Sequence, residues 1–321
     1  MVLALAVALC AAFVTALALG AVSIPFSDVI KSLTGGDVSP ISEKIINDLR
    51  LPRAVEAVVV GAALGVAGAL LQGALNNQLA SPDIVGVTGG AGFGAVVILV
   101  LFPAQAALLP FGALIMGLVA AALVFGFAWS GANRGAVTKL ILAGIAIGAL
   151  FAAGTTAILT AYPDRVPSVL FFIAGGLTSD GWHDLTAVLP YFIVGFIGAV
   201  CMMRPLDRLA LGDEVAASLG SRPQVIRLIA GVIAAILAAA SASLAGLLAF
   251  LGLIVPHFVR MAAGTSANTY VVPVSALAGA TLLLVGDTLA RVVAAPVELP
   301  VGPFMVLLGV PLFLYLLRKH A

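Results

Sequence analysis

Apolar runs long enough to cross a bilayer recur along this chain, and charge is almost excluded from them. They cover 1–22, 54–75, 84–102, 106–128, 139–161, 185–203, 226–252, 269–289 and 299–317, and a shorter segment, 253–265, directly follows the seventh. A helix needs about 20 predominantly apolar residues to span the hydrocarbon core, so each long run is read as one crossing. The first run reads as a span rather than a signal peptide. It has no basic leader and no small-x-small cleavage pattern before Ile24-Pro25. Of 321 residues, 62% are hydrophobic and 9% charged, against about 25% charged in an average soluble domain. A soluble globular fold is thereby excluded.

The same scarcity of charge excludes other classes. With 15 basic and 14 acidic residues the net charge is +1, which leaves no electrostatic footprint for nucleic acid. Cys10 and Cys201 lie inside apolar stretches, too few for a disulfide framework and without metal-ligand spacing. The 35 glycines fit a tightly packed bundle, since small residues let membrane helices approach closely.

Orientation follows from Lys and Arg in short loops. Loop 204–227 carries Arg204, Arg208, Arg222 and Arg227, the loop near 129–139 carries Arg134 and Lys139, and the C-terminus carries Arg318 and Lys319. All three are cytoplasmic only if 253–265 also crosses, as a short Pro-interrupted element. Irregular backbone at membrane depth is tolerated where protein buries it. The expectation is an all-α polytopic protein with about ten transmembrane helices and both termini cytoplasmic. Residues 23–53 form the most polar stretch and fall outside, against the bias of their four basic residues. The external loop after 161 contains an apolar piece, 167–176, too short to span and read as a helix at the membrane surface or over a pore mouth.

Enzymatic chemistry finds no support. There is no Gly-x-Ser-x-Gly, no His-Glu-x-x-His and no phosphate-binding Gly-x-x-x-x-Gly-Lys-Ser/Thr. The four lysines, Lys31, Lys44, Lys139 and Lys319, follow no glycine-rich loop. The glycine-rich run Gly86 to Gly94 opens an apolar helix, so Gly86, Gly90 and Gly94 read as packing positions. His257 reads as a packed residue rather than a metal ligand. His183, Trp182 and Tyr162 fall near the external mouth, as surface anchors or as contacts for an aromatic chelate. No cofactor is implied. Ionisable residues inside spans are the default functional flags; here they are Glu56, Asp83, Arg260, Asp287 and Arg291. Asp287 and Arg291 are spaced i,i+4, which permits an internal ion pair; a proton relay would need more acidic groups along one path. In loop 204–227, Asp213, Glu214, Ala217 and Leu219 sit in a short helical pattern stopped by Gly220. Such a helix suits a partner's groove, or is simply a solvated connector.

In this order the motifs resemble a known family, the permease subunits of bacterial ABC importers for iron-siderophores, heme and cobalamin. They are Leu49-Arg50-Leu51-Pro52-Arg53; Gly61 to Gly68 with Gln72; Asn77-Gln78-Leu79-Ala80-Ser81-Pro82; Leu142 to Ala146; and Leu211-Gly212-Asp213-Glu214 to Ser218-Leu219-Gly220. Gly252 to His257, Asp287 with Arg291, Glu298 to Gly302 and Gly309 to Phe313 complete the set.

The resemblance implies one transmembrane permease domain over 1–321 with the type II ABC importer fold, in the bacterial inner membrane. It implies a second permease subunit, most simply as a homodimer, two ATP-binding cassette subunits and an external substrate-binding protein. It assigns Leu211, Gly212, Asp213, Glu214, Ala217, Ser218, Leu219 and Gly220 to coupling with the ATPase. Arg50, Arg53 and Arg291 would face acidic residues of the binding protein. Asn77, Gln78 and Leu79, with Val137 and Thr138, would form the cytoplasmic gate. The family pattern has proline where Gln78 stands, so φ is not fixed there by a ring. The implied activity is ATP-driven import of a metal chelate by alternating access, an iron complex first, with cobalamin or molybdate as the other family cargoes. An ion-coupled secondary transporter is the competing class.

Overall fold

The computed structural model describes residues 1–20, 22–83, 86–129, 136–177, 182–293 and 298–320. Among them, six helices are long and apolar enough to cross a membrane, and four shorter apolar helices, Val2–Ala18, Val87–Leu101, Leu251–Ala263 and Val301–Pro311, bring the set to ten. The elements in chain order are α1 (Val2–Ala18), α2 (Phe26–Leu33), α3 (Pro40–Lys44), α4 (Leu51–Leu75), α5 (Val87–Val96), α6 (Leu109–Trp129) and α7 (Ala136–Ala161). They continue with α8 (Val166–Ala174), α9 (Trp182–Leu209), α10 (Asp213–Ser218), α11 (Pro223–Ala245), α12 (Leu251–Ala263), α13 (Asn268–Val293) and α14 (Val301–His320). Arg134 and Gly181 lie outside the described residues.

The centre of the bundle is α4, packed on α11, α12 and α13. Two features of its sequence explain this place. Apolar residues run all round it, from Val58 to Leu71, as befits a helix with protein on every side. Glycines then open its flanks. A Cβ on Gly61 would meet the backbone of Gly279, and one on Gly279 would meet Gly61 in return. A Cβ on Gly68 would fall inside the Gly252 carbonyl group on α12. Between helices in lipid there is no hydrophobic gain, because acyl tails are as apolar as leucine, so association depends on close packing and on polar contacts. Gly90 and Gly94 behave likewise, receiving the Met116 and Gly112 backbone of α6, whereas Gly86 serves as the left-handed N-cap of α5 at φ 77.

Two boundaries differ from the sequence reading. The span expected to begin at 54 is helical from Pro40, through a π-helical turn at Ile45–Arg50 into α4. A π turn widens the backbone just where the Pro52 ring would otherwise strike the carbonyl four residues before it. Arg50 and Arg53 therefore belong to a helix rather than a loop. The run 226–252 is also not one helix. Helix α11 stops at Ala245, and the chain turns through Gly246 (φ 64) and Phe250 (φ 68) before α12. The short crossing is helical through Pro256, and the irregular backbone lies before it. That backbone is held by α8, expected from 167–176: Leu247 N–H donates to the Phe172 carbonyl at 3.2 Å, and Gly302 N–H to Gly175 at 2.7 Å.

Gly68→Ala is expected to lower stability by about 1–3 kcal/mol through overpacking. Gly126→Ala, inside α6 with nothing within 4 Å of the new methyl, is expected to raise stability by about 0.5–1 kcal/mol. Thermal unfolding of the purified chain in detergent checks the contrast.

Candidate functional site

Among the described residues, the ion pairs gather at the two ends of the bundle, each a polar network built between helices, whereas Asp83 stands between them and accepts from Thr88 at 2.6 Å.

At the first end, α1 stops with unpaired carbonyls, as every helix does. Two arginines from other helices satisfy them. Arg50 Nη1 donates to Leu17 O at 2.7 Å and Ala18 O at 2.9 Å, and its Nη2 donates to Val22 O. Arg291 donates to Ala16 O at 3.2 Å and Leu19 O at 3.4 Å. Cations at a helix C-terminus also suit the helix dipole. Arg53 turns the other way. Its Nη2 and Nε reach Asp287 at 2.9 and 3.1 Å, and its Nη1 reaches Glu298 at 2.5 Å. Asp287 also pairs with Arg291 at 3.1 Å. The i,i+4 pair read from the sequence is thus present, and Arg53, 234 residues before Asp287, joins it.

Arg50, Arg53 and Arg291 are 7%, 7% and 5% exposed. Their guanidinium groups are bound to internal acceptors, so they do not project from the surface as separate docking charges. They do line the wall of a cleft of about 380 Å³ with Gly20, Val22, Ile45, Leu49 and Glu298. Three arginines against Asp287 and Glu298 leave one positive charge in excess there. Near the same end, His183 is exposed beside Asp184, and Trp182 and Tyr162 are each 43% exposed.

At the second end lies α10. Its stop has the bonding expected of a terminal glycine: Ser221 N–H donates to Ala216 O and Gly220 N–H to Ala217 O, both at 2.9 Å, with Gly220 at φ 77. Leu211, Gly212, Asp213, Glu214, Ala217, Ser218, Leu219 and Gly220 are all exposed, and within α10 only Ala216 is buried. Leu211, Val215 and Leu219 are 60%, 46% and 57% exposed. Val215 and Leu219 share one face by their i,i+4 spacing, while Leu211 stands before the Gly212 turn, outside the helix. Val215 is absent from the sequence reading, although its i,i+4 pairing with Leu219 contains it.

Behind α10, Arg227 of α11 forks onto both carboxylate oxygens of Asp213 at 2.7 and 2.9 Å, and its Nε donates to Ala74 O at 3.1 Å. This guanidinium holds the Asp213 carboxyl below the usual carboxylate range. The pair is therefore complete above about pH 4 and is lost only as pH falls through the depressed value. Ala74 sits in the last turn of α4, which ends in Asn76 at φ 47. The next residues make a tight turn: Asn77 N–H donates to Gln72 O at 3.1 Å, and Asn77 Oδ1 accepts Leu79 N–H at 2.9 Å. That side-chain turn shapes the segment where Gln78 replaces proline. Gln78 and Leu79 are exposed, as is Thr138 near the start of α7. The Val137 side chain lies outside the described residues. The α4 end is fixed further by Gln72, which donates to Leu253 O at 3.0 Å and accepts from Arg260. Asp207 of α9 accepts the first backbone N–H groups of α13, from Asn268 and Thr269.

Replacing Asp287 by Asn removes the charge shared by Arg53 and Arg291. Breaking a buried pair on one side costs about 3–5 kcal/mol, so Asp287→Asn should lower the unfolding midpoint sharply. Thermal unfolding in detergent reads it.

Residues 8–319 match the FecCD transport family. The chain is 37% identical over 322 residues to the Fe(3+)-citrate import system permease protein YfmE of Bacillus subtilis, covering 100% of this chain and 95% of that protein. It is 35% identical over 302 residues to the Fe(3+) dicitrate transport system permease protein FecC of Escherichia coli, covering 94% and 91%. It is 36% identical over 283 residues to the cobalamin import system permease protein BtuC of Halobacterium salinarum, covering 88% and 76%. A solved inward-facing metal-chelate type ABC transporter superposes with a TM-score of 0.87 at 28% identity, covering 99% of this chain and 98% of that one.

Proposed function

Because the chain belongs to the FecCD transport family and is a multi-pass permease subunit of an ABC importer rather than an enzyme, we propose that it carries a ferric chelate inward across the bacterial inner membrane. Similarity to ferric-citrate permeases supports an iron complex, a siderophore or heme, ahead of cobalamin or molybdate. The chain works as a homodimer, with the pathway along the dimer axis, two ATP-binding cassette subunits on the cytoplasmic face and a substrate-binding protein outside. Helix α7, left largely uncovered by the rest of the chain, supports a second subunit beside it.

The observation that carries this reading is the exposed apolar surface of α10 and its flanks, Leu211, Val215 and Leu219. Three large apolar side chains exposed on a polar loop call for a groove on a partner. The partner is the ATPase, and 204–227 is the coupling loop. ATP binding moves the paired α10 helices, and the two permease subunits rock about the gate at Asn77, Gln78, Leu79, Val137 and Thr138. Nucleotide and binding protein each bias one bistable element through different contacts in its two states. At the opposite end, the one excess positive charge of the arginine-lined cleft attracts carboxylates of the binding protein, while the guanidinium groups themselves stay on their internal acceptors.

Deleting 212–220, or Glu214→Lys, abolishes co-purification with the ATPase subunits; an intact complex would refute the docking role. Inactivating the ATPase abolishes uptake, whereas undiminished uptake would favour ion coupling. Charge reversal at Arg50 or Arg53 is an unsuitable probe of docking, because both are structural. Leu49, 52% exposed on the cleft wall, serves better. Leu49→Trp narrows the cleft without touching the ion pairs and should weaken binding-protein affinity about tenfold, or ~1.4 kcal/mol. Titration of the binding protein against permease in nanodiscs measures it.

A further inference from the structure

We propose that Arg227 is a positioning residue that links α10 to the gate turn, so that displacement of the ATPase-facing helix is delivered to residues 77–79 through one side chain. The inference rests on the reading of α10 as the ATPase dock.

The attachment of α10 to the body is slight. It is flanked by Gly212 at φ 99 and Gly220 at φ 77, and a Cβ added to either would meet no heavy atom within 4 Å. Such glycines turn freely and are not wedged by neighbours. Within α10, only Ala216 is buried. The ion pair from Asp213 to Arg227 is therefore the principal polar tie of this helix to the bundle. A two-pronged contact fixes orientation as well as distance. A single contact would let α10 swivel.

The same guanidinium has a second acceptor. Its Nε bonds the Ala74 carbonyl at 3.1 Å, one of the orphan carbonyls in the last turn of α4. Three residues on stands Asn77, whose N–H bonds Gln72 O and whose side chain closes the turn onto Leu79. No flexible stretch intervenes between the Arg227 contact and the gate. The α11 backbone carries the arginine itself, and its side chain is 14% exposed. One planar group thus spans the coupling helix and the terminus of the central helix, two elements that sequence places 139 positions apart by residue number, Ala74 to Asp213. Coupling can travel through chains of hydrogen bonds and ion pairs, and the fork supplies one such contact between α10 and α4.

The test uses the assembled importer in nanodiscs, with spin labels at Gln78 and at Ser221, whose N–H is bonded to α10, on one subunit of the dimer. In the parent chain the distance between the labels is the same without nucleotide and with ATP and vanadate, because α10 and the turn move together. In Arg227→Gln the ATPase still co-purifies, but nucleotide shifts the distance by about 2 Å or more. An unchanged distance in the variant overturns the proposal, and so does loss of the ATPase, which would make Arg227 part of the dock itself. If Arg227→Gln fails to accumulate, Arg227→Lys is read instead. A single ammonium cannot reproduce the fork, so the shift is again expected, and its absence again overturns the link. A complex that survives deletion of 212–220 would refute the docking reading instead, which keeps the two failures apart.

Discussion

The Asp287 carboxylate is the interaction on which one end of this molecule depends. It is 1% exposed and would be untenable alone in a low-dielectric interior. Arg53 approaches it from α4 and Arg291 from its own helix, and Arg291 continues to the carbonyls ending α1. Three helices are thus fixed by one buried charge and its partners. Arg50 repeats the device, capping α1 from the α4 side. Such networks are weak evidence for net stability, but removing any one partner is costly.

Away from the ends, cohesion comes from shape. The contacts of Gly61 with Gly279 and of Gly68 with Gly252 bring backbones together where larger residues would hold them apart. Polar side chains add what packing does not supply, as Gln72 does by bonding α12 while accepting from Arg260. The bundle therefore has a stiff centre around α4, with α10 lightly held at one end, and that contrast suits a subunit that must rock without unravelling.

Much of this was legible in the sequence. The number of crossings, the helix at 167–176, the glycine stop at Gly220 and the Asp287–Arg291 pair are local patterns, set by periodicity and spacing. What was hidden is non-local. Ile45 to Arg50 read as loop because of its polar residues, whose partners lie on α1, just after it, and on α2. The break after Ala245 interrupts an apolar run that hydropathy cannot divide. Arg227 looked like one more cytoplasmic charge, since nothing in spacing links it to Ala74. The burial of Arg50 and Arg53 was likewise invisible, since an arginine beside a polar stretch reads as exposed until its acceptors are known.

Helix α12 has 13 residues, or about 20 Å of rise, short of a hydrocarbon core about 30 Å thick. It cannot partition into lipid as an independent unit during synthesis, and its leading backbone, Gly246 to Phe250, would expose bare amides there. That backbone is met by Phe172 from an earlier helix, while Gly175 beside it waits for Gly302 at the start of the last one. Biogenesis of the chain must therefore lodge α12 against the earlier helix α4, with its leading turn on Phe172, rather than release it to lipid. Truncation before Gly302 would leave the Gly175 carbonyl without the amide it accepts from α14.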